Sequence, residues 1–351
     1  MTGSAFREDI EQVVSDRNIP WQEMSGTTVF ITGVTGLIGS ALVGVLVFAN
    51  EKYGLDLRII GHGRNAAKGD ALCREYEIEF IGSDICKPIP TETLPQKLDY
   101  IFHCAAITKS ADMVAKPVEV ITTSLNGTHN ILELAREKNT ISLVYLSSME
   151  VYGQTGKQEV AESDLGCLDL MNPRSSYPES KRQCENMCVC YCAEYGVPVK
   201  IARLSRIFGA GTQNYDSDKR VAMQFARKAM AKKDIVLHTS GTSMGNCCYT
   251  SDAVSGLLII LLKAVNGEAY NVSNPAESVS IRKEAELVAN EVCGGDIAVA
   301  IEVPHDIDKF GYAPVVGHKL NADKLKKLGW SPQYPLVEMY RRMIIDWDNV
   351  R

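Results

Sequence analysis

Three groups of residues in this 351-residue sequence have types and spacing suited to chemistry. Gly33, Gly36 and Gly39 punctuate "TVFITGVTGLIGS", between an apolar β-branched run and an apolar helical one. Missing side chains there let the backbone approach a pyrophosphate, and the helix start adds free N–H groups and a favourable dipole. Tight helix–strand packing would use the same glycines, but their place directly after the first strand of an alternating pattern favours dinucleotide binding. Tyr177 and Lys181 in "SSYPESKR" are four apart, so on a helix both project from one face. Ser176 and Glu179 are spaced for a capping box at the start of that helix, with Pro178 tolerated in its first turn. Finally, Ser148 and Glu150 in "LSSMEVYG" stand where the apolar run "TISLVY" ends. In an open α/β sheet, ligands bind outside the carboxyl ends of the strands, so Glu150 is expected to face a cleft. A structural carboxylate bonded to backbone is the alternative reading.

The elements that must position these groups alternate. "TTVFITG", "LDLRIIG", "EIEFIG", "LDYIFHCAA", "TISLVYLSS" and "PVKIARL" read as strands. The helices "LIGSALVGVLVFANEKYG", "SLNGTHNILELAREKN" and Tyr177 to Tyr195 fall between strands. Apolar, β-branched strands separated by helices indicate a parallel sheet covered on both faces. After about residue 205 the pattern loosens, with "GAGTQNYDSDKR" and "HTSGTSMGNCCYTSD" reading as loop-rich stretches of a smaller lobe, and "EAYNVSN" as a return to the sheet. The expected organisation is a helical extension over residues 1–25, a dinucleotide-binding domain over 26–205 and a mainly substrate-binding lobe over 206–351, with about 250–275 returning to the sheet. The extension holds a short amphipathic helix, "FREDIEQVVSDR", with no evident purpose.

Composition excludes several classes. At 45% hydrophobic and 23% charged the chain reads as an ordinary soluble globular protein. A net charge of −6 without a long basic run leaves no footprint for nucleic acid or an acidic membrane. The longest apolar run, "LIGSALVGVLVFA", is too short to span a bilayer. Early acidic residues and no apolar h-region argue against a signal peptide, so eleven cysteines suggest reduced thiols in a cytoplasm. Cys184, Cys188 and Cys192 share a helical face, a spacing unlike that of metal ligands, and no metal site is expected.

With "TGVTGLIG", "SSMEVYG" and "YPESK" in this order, the chain resembles the extended short-chain dehydrogenase/reductase family of nucleotide-sugar epimerases, dehydratases and decarboxylases, over about residues 26–330. "GSDI" (82–85), "HCAA" (103–106), "LNGTHN" (125–130) and "LGW" (328–330) fit the same pattern. The run from Pro173 to Arg203, with "DKRV" after it, is most similar to the UDP-glucuronate decarboxylase branch. The resemblance implies a Rossmann-type doubly wound α/β sheet with a smaller C-terminal substrate-binding lobe, and a homodimer in which the Tyr177 helix packs, so that the cysteine stripe would lie in a subunit interface. It implies NAD at Gly33, Thr35, Gly36, Leu37, Ile38 and Gly39, with Asp84 and Ile85 near the adenine and Ala105 and Ala106 beside the cofactor. Ser148 takes the place of the catalytic hydroxyl, Tyr177 of the base and Lys181 of its partner, which also reaches the nicotinamide ribose. Lys181 and the positive nicotinamide would lower the Tyr177 pKa, so that the phenol accepts a proton from a sugar hydroxyl. The implied reaction is transient C4 oxidation of a nucleotide-linked sugar, with decarboxylation of a UDP-glucuronate-like substrate leading and 4-epimerisation or 4,6-dehydration as alternatives. Glu150 matches the glutamate that dehydratases and decarboxylases carry, while Met149, which cannot exchange a proton, argues against a standard dehydratase. From a different class, a dinucleotide-binding regulator without turnover would have no need of Ser148, Tyr177 and Lys181.

Three departures bear on specificity. The second strand ends "IIGHGRN", without the acid expected for the ribose diol of NAD; Arg64 there could meet a 2′-phosphate or stack on adenine, leaving NADP open. Arg206 stands where the family usually places an asparagine beside the nucleotide sugar, so Ser148, Met149 and Arg206 are the expected substrate contacts. Gly245 occupies the place of a common diphosphate- or carboxylate-binding arginine, which weakens the decarboxylase reading in particular; Arg220 could still serve the diphosphate, and a solvated surface arginine is the other reading.

Overall fold

The computed structural model describes residues 4–211, 220–305 and 315–350. Most of "GAGTQNYDSDKR", and with it part of "DKRV", lies outside the described residues. The strands are β1 (Thr28–Thr32), β2 (Arg58–Gly63), β3 (Glu79–Gly82), β4 (Tyr100–His103), β5 (Ser142–Ser148), β6 (Glu159–Val160), β7 (Val199–Leu204), β8 (Arg206–Phe208), β9 (Ile235–Leu237), β10 (Met244–Tyr249), β11 (Ala269–Val272), β12 (Ser278–Ser280), β13 (Val299–Ile301) and β14 (Lys319–Leu320). The helices are α1 (Ser4–Val14), α2 (Leu37–Tyr53), α3 (Ala66–Tyr76), α4 (Ser110–Ala115), α5 (Pro117–Glu137), α6 (Ser176–Tyr195), α7 (Val221–Met230), α8 (Thr250–Lys263), α9 (Ile281–Leu287), α10 (Asp323–Lys326) and α11 (Leu336–Val350).

Seven parallel strands form the central sheet in the order β11-β7-β5-β4-β1-β2-β3. The chain runs outward from β1 through β2 to β3, then returns to the other side of β1 at β4, which makes the β1/β4 boundary the switch point of the doubly wound sheet. Alternate residues of each strand feed opposite faces. Val29, Ile31, Phe102, Val144 and Leu146 join one buried cluster with α2 and α8. Phe30, Ile101, Leu143 and Tyr145 join the other, beneath α5 and α6. This two-sided burial is why the strands read as unbroken apolar runs rather than alternating ones.

The second region holds a three-stranded sheet, β12-β10-β8, and the two-stranded pairs β13-β9 and β14-β6. The stretch "SMGNCCYT" reads as loop, yet residues 244–249 form β10, pairing with β8 through Cys247 and Cys248 and with β12 through Gly245 and Asn246. Small residues suit this strand because it is buried and crowded. The N-terminal helix α1 is integral: Phe6, Ile10, Val13 and Val14 are buried in the cluster that also contains α2, α8 and α11. Asp9 on its inner face accepts from Tyr249 Oη at 2.7 Å, Tyr334 Oη at 3.1 Å and Arg342 Nε at 2.9 Å.

Candidate active site

The turn after β1 has to pass close beneath β4. Gly33 has φ +65°, a left-handed conformation that favours glycine, and a side-chain carbon there would lie 2.8 Å from the Ala105 amide nitrogen. On the first turn of α2, a Cβ at Gly39 would lie 2.5 Å from the Gly33 carbonyl oxygen. Gly36 is the extended N-cap of α2 and has no side chain to occupy the helix's free N–H groups. Thr35 flanks this turn, and Leu37 and Ile38 anchor it by packing on the core. The result is a cradle of bare backbone at the switch point, which fits a dinucleotide pyrophosphate.

Buried polar groups lock that cradle to β4. Thr32 Oγ1 pairs with His103 Nδ1 at 2.8 Å and accepts from the Ala105 N–H at 3.1 Å. Burial, with a contribution from Lys181, pushes the His103 pKa down to about 3, so the imidazole is neutral and serves as a hydrogen-bond spacer. Ala105 and Ala106 follow, half-buried. At the far end, the Asp84 carboxylate accepts the Cys86 N–H at 3.0 Å. Ile85 is buried, and its carbonyl accepts from Asn130 Nδ2 at 2.8 Å.

On the other side of the switch point, α6 presents Tyr177 and Lys181, which are 6% and 3% exposed. The expected capping box is absent: the N-cap is Ser175, Ser176 Oγ donates to the Met113 carbonyl, and Glu179 meets Arg182. The preceding short turn at Pro173–Ser175 delivers the chain already coiled, so α6 starts without a side-chain cap. Lys181 Nζ donates to the Leu146 carbonyl at 2.7 Å and lies 5.9 Å from the Tyr177 ring centre. Burial lowers the Lys181 pKa. The Tyr177 phenol stands well above its ordinary value, first through burial and then through the Glu150 carboxylate, while Ser148, by hydrogen bonding, and Arg174 act the other way. Lys181 stands one helical turn further along α6. Its ammonium faces backbone and the Tyr145 ring, 4.7 Å from that ring's centre.

Strand β5 ends at Ser148, whose Oγ accepts the Glu150 N–H at 3.2 Å and so caps the short 3-10 turn Met149–Tyr152. That turn holds Glu150 beside Tyr177 and packs Met149 onto Val151, Tyr152, Val160 and Leu320. Among the described residues no backbone group donates to the Glu150 carboxylate. It pairs with the nearly buried Arg174, whose Nη2 lies 3.0 Å from Oε1 and 2.9 Å from Oε2. Beneath the turn, Ser147 Oγ donates to Glu185 at 2.5 Å, and Glu185 is held by Arg203 with Nη2–Oε2 at 2.7 Å. Arg203 also donates to Tyr152 Oη at 3.1 Å, so helix α6 and strands β5 and β7 are tied directly under the site.

The lobe residues fall differently. The Arg206 guanidinium is held by Glu284 at 2.7 Å and lies over Gly245, where a side-chain carbon would come within 2.2 Å of Nη1. The vacancy left by the glycine on β10 is thus filled by an arginine from β8. Arg220 opens α7 and donates to the Ile207 carbonyl at 3.1 Å. Arg64 is exposed just beyond β2. Cys184 and Cys188 are fully buried beneath the sheet, not in an exposed interface, because that face of α6 packs on Tyr145. Among the described residues, no cluster of potential ligands could hold a metal ion.

Residues 29–273 match the model described as the NAD dependent epimerase/dehydratase family. A UDP-glucuronic acid decarboxylase 1 of Xenopus tropicalis is 30% identical over 319 residues, 90% of this chain and 71% of that protein. A human dTDP-D-glucose 4,6-dehydratase is 26% identical over 347 residues, 94% of this chain and 95% of that protein. Among solved structures, an epimerase of Methanothermobacter thermautotrophicus superposes with a TM-score of 0.78 at 24% identity, covering 93% of this chain and 94% of the other. A UDP-glucuronic acid 4-epimerase of Bacillus cereus, solved with NAD, superposes with a TM-score of 0.77 at 19% identity, covering 93% and 100%.

Proposed function

The chain belongs to the NAD dependent epimerase/dehydratase family, and from that premise we propose that it modifies a nucleotide-linked sugar by transient oxidation at C4, with decarboxylation of a UDP-glucuronate-like substrate as its reaction. The observation that carries this reading is the meeting of Ser148, Glu150, Tyr177 and Lys181 beside the glycine cradle at the carboxyl ends of the strands.

Gly33, Gly36 and Gly39 would hold the pyrophosphate, and Lys181 the nicotinamide ribose. Bound nicotinamide supplies a hydride acceptor and returns what it takes, so the cycle has no net redox change. As a phenolate, the form that the positive charge of a bound nicotinamide together with Lys181 would favour, Tyr177 would accept the proton of the C4 hydroxyl while Ser148 hydrogen-bonds the same oxygen and orients it. The C4 ketone makes a C6 carboxylate a β-keto acid. The C5–C6 bond breaks, carbon dioxide leaves, and the bond's electron pair moves onto the C4 oxygen, where Tyr177 and Ser148 stabilise it. Glu150, steadied by Arg174, then manages the proton delivered to C5. Met149 in place of a proton-exchanging neighbour disfavours 4,6-dehydration. One observation favours C4 epimerisation as a second reading: β10 carries Gly245, with no cationic side chain of its own for a uronate, and the arginine over it is committed to Glu284.

Exposed Val118 and Ile121 on α5 and Val189 on α6 support a homodimer through those helices, which sedimentation measurements would test. No described helix is long and apolar enough to cross a membrane, and with its free thiols this supports a cytoplasmic enzyme. The direct experiment is to incubate the purified protein with UDP-glucuronate and other nucleotide sugars and to identify products by mass and NMR, with Tyr177→Phe as control. Loss of carbon dioxide from UDP-glucuronate in the wild type alone supports decarboxylation. A retained carboxylate with inverted C4 supports epimerisation, and turnover of no sugar overturns both readings.

A further inference from the structure

The adenosine end of the cofactor site departs from what an NAD-selective site requires. A dinucleotide on the glycine cradle places its adenosine ribose beside the end of the second strand, where an acidic side chain both binds the 2′,3′-diol and repels a 2′-phosphate. Here that strand ends at Gly63. Its absent side chain would point toward the cradle, since a carbon built there lies 4.0 Å from Thr35 Oγ1 and 3.6 Å from the Phe80 ring. Both are ordinary contacts, and Gly63 does not adopt a left-handed backbone, so neither packing nor conformation demands glycine at this position. A side-chain carbon is admitted here, yet the strand ends without an acid.

The charge that follows is positive. Arg64 is exposed directly after Gly63 and forms no hydrogen bond or ion pair with the described residues. It leads into α3, whose N-cap, Asn65, accepts the Lys68 N–H at 3.0 Å. The acid in the neighbourhood is Asp84, at the end of the adjacent strand, and its carboxylate already accepts the Cys86 N–H. That hydrogen bond, with a smaller contribution from the field of Arg64, holds the Asp84 pKa below its ordinary value. Asp84 is thus a satisfied carboxylate that Arg64 partly neutralises.

We propose that Gly63 and Arg64 make this chain's cofactor site a seat for a 2′-phosphorylated dinucleotide, so that it binds NADP(H) at least as tightly as NAD(H), with the Arg64 guanidinium on the 2′-phosphate. This rests on the reading of the glycine cradle as the dinucleotide site, and it deepens that reading at the adenosine end. A guanidinium–phosphate contact is bidentate and charge-assisted, and its loss costs roughly tenfold or more in affinity.

Calorimetric titration of the dinucleotide-stripped protein with NADP+ and with NAD+, without sugar, tests this. The wild type is expected to bind NADP+ with a Kd no weaker than for NAD+. Arg64→Ala should weaken NADP+ by about tenfold or more while changing NAD+ less than about threefold. Gly63→Asp, whose Cβ the packing admits, should reverse the preference toward NAD+, and an unchanged melting temperature would show that it folds. A wild type that binds NAD+ more tightly than NADP+, or an Arg64→Ala that weakens both equally, would overturn the proposal while leaving the dinucleotide site and the sugar chemistry intact. Binding of neither cofactor would overturn the dinucleotide reading itself, and this inference with it.

Discussion

Glu150 and Tyr177 occupy one electrostatic neighbourhood, and this determines how the site must work. The carboxylate raises the phenol, while Ser148 and Arg174 pull it down, so in the proposed cycle proton transfer at C4 and proton handling at C5 would be coupled. Arg174 makes Glu150 a positioned group and not a solvated one. Replacing it separates the two halves of the cycle. Glu150→Gln keeps the size and much of the hydrogen bonding but cannot exchange a proton. C4 oxidation should persist while the following step slows by about a hundredfold or more, the usual scale for a lost general acid or base. Stopped-flow absorbance should then show reduced nicotinamide accumulating with a 4-keto sugar. If every step weakens together and the melting temperature falls, Glu150 is structural. Ser148, Glu150, Tyr177, Lys181 and the three glycines were all visible in the sequence, because each sits at a strand end or on one helical face. Their supports were not: Arg174 lies 24 residues from Glu150, and Thr32 lies 71 residues from His103. Only the fold brings such pairs together.

At the scale of elements, the site depends on two close approaches. The turn after β1 must pass under β4, and α6 must stay clamped to β5 and β7. Gly39→Ala tests the first. With the new carbon 2.5 Å from the Gly33 carbonyl, backbone must move, at a cost of roughly 1–3 kcal/mol for overpacking, and the cradle must widen. Calorimetry should show dinucleotide affinity lost while far-ultraviolet circular dichroism stays native. Glu185→Gln tests the second. It leaves the buried Arg203 uncompensated, and removing one partner of such a pair costs on the order of 3–5 kcal/mol. The variant should melt at a distinctly lower temperature, whereas a Glu185→Gln protein with wild-type stability would show that the clamp contributes little. The alternating strands and helices of the central sheet were legible because two-sided burial makes each strand an apolar run. Strand β10 was not: Gly245, Asn246, Cys247 and Cys248 carry a weak strand signal, and pairing with β8 and β12 makes the strand.

Across the whole molecule, α1 joins the sheet domain to the C-terminal helix. Asp9 bonds to Tyr249, 240 positions away, and to Arg342, 333 positions away, which is why the sequence offered the helix no purpose. Close by, Asp252 is buried, and among the described residues it has no cation beside it and accepts only the backbone N–H groups of Gln333 and Tyr334. Burial pushes its pKa up to about 7 from an ordinary 3.8, with the nearby Asp9 adding to the rise. A carboxyl whose folded pKa is raised contributes stability that is fully present below its unfolded pKa and is lost as pH rises through the folded one. Urea unfolding should therefore show stability falling between about pH 4 and pH 7 and levelling above. Asp252→Asn, which cannot ionise, should flatten that part of the profile, and an unchanged slope in the variant would assign the dependence elsewhere. The proposed activity is a closed redox cycle at one sugar carbon. It is tested most directly by supplying UDP-glucuronate, or whichever nucleotide sugar the protein converts, with deuterium at C4 and locating the label in the product by NMR. The account predicts that the deuterium is retained at C4, because the hydride removed there is returned there. Deuterium released into the solvent would contradict it.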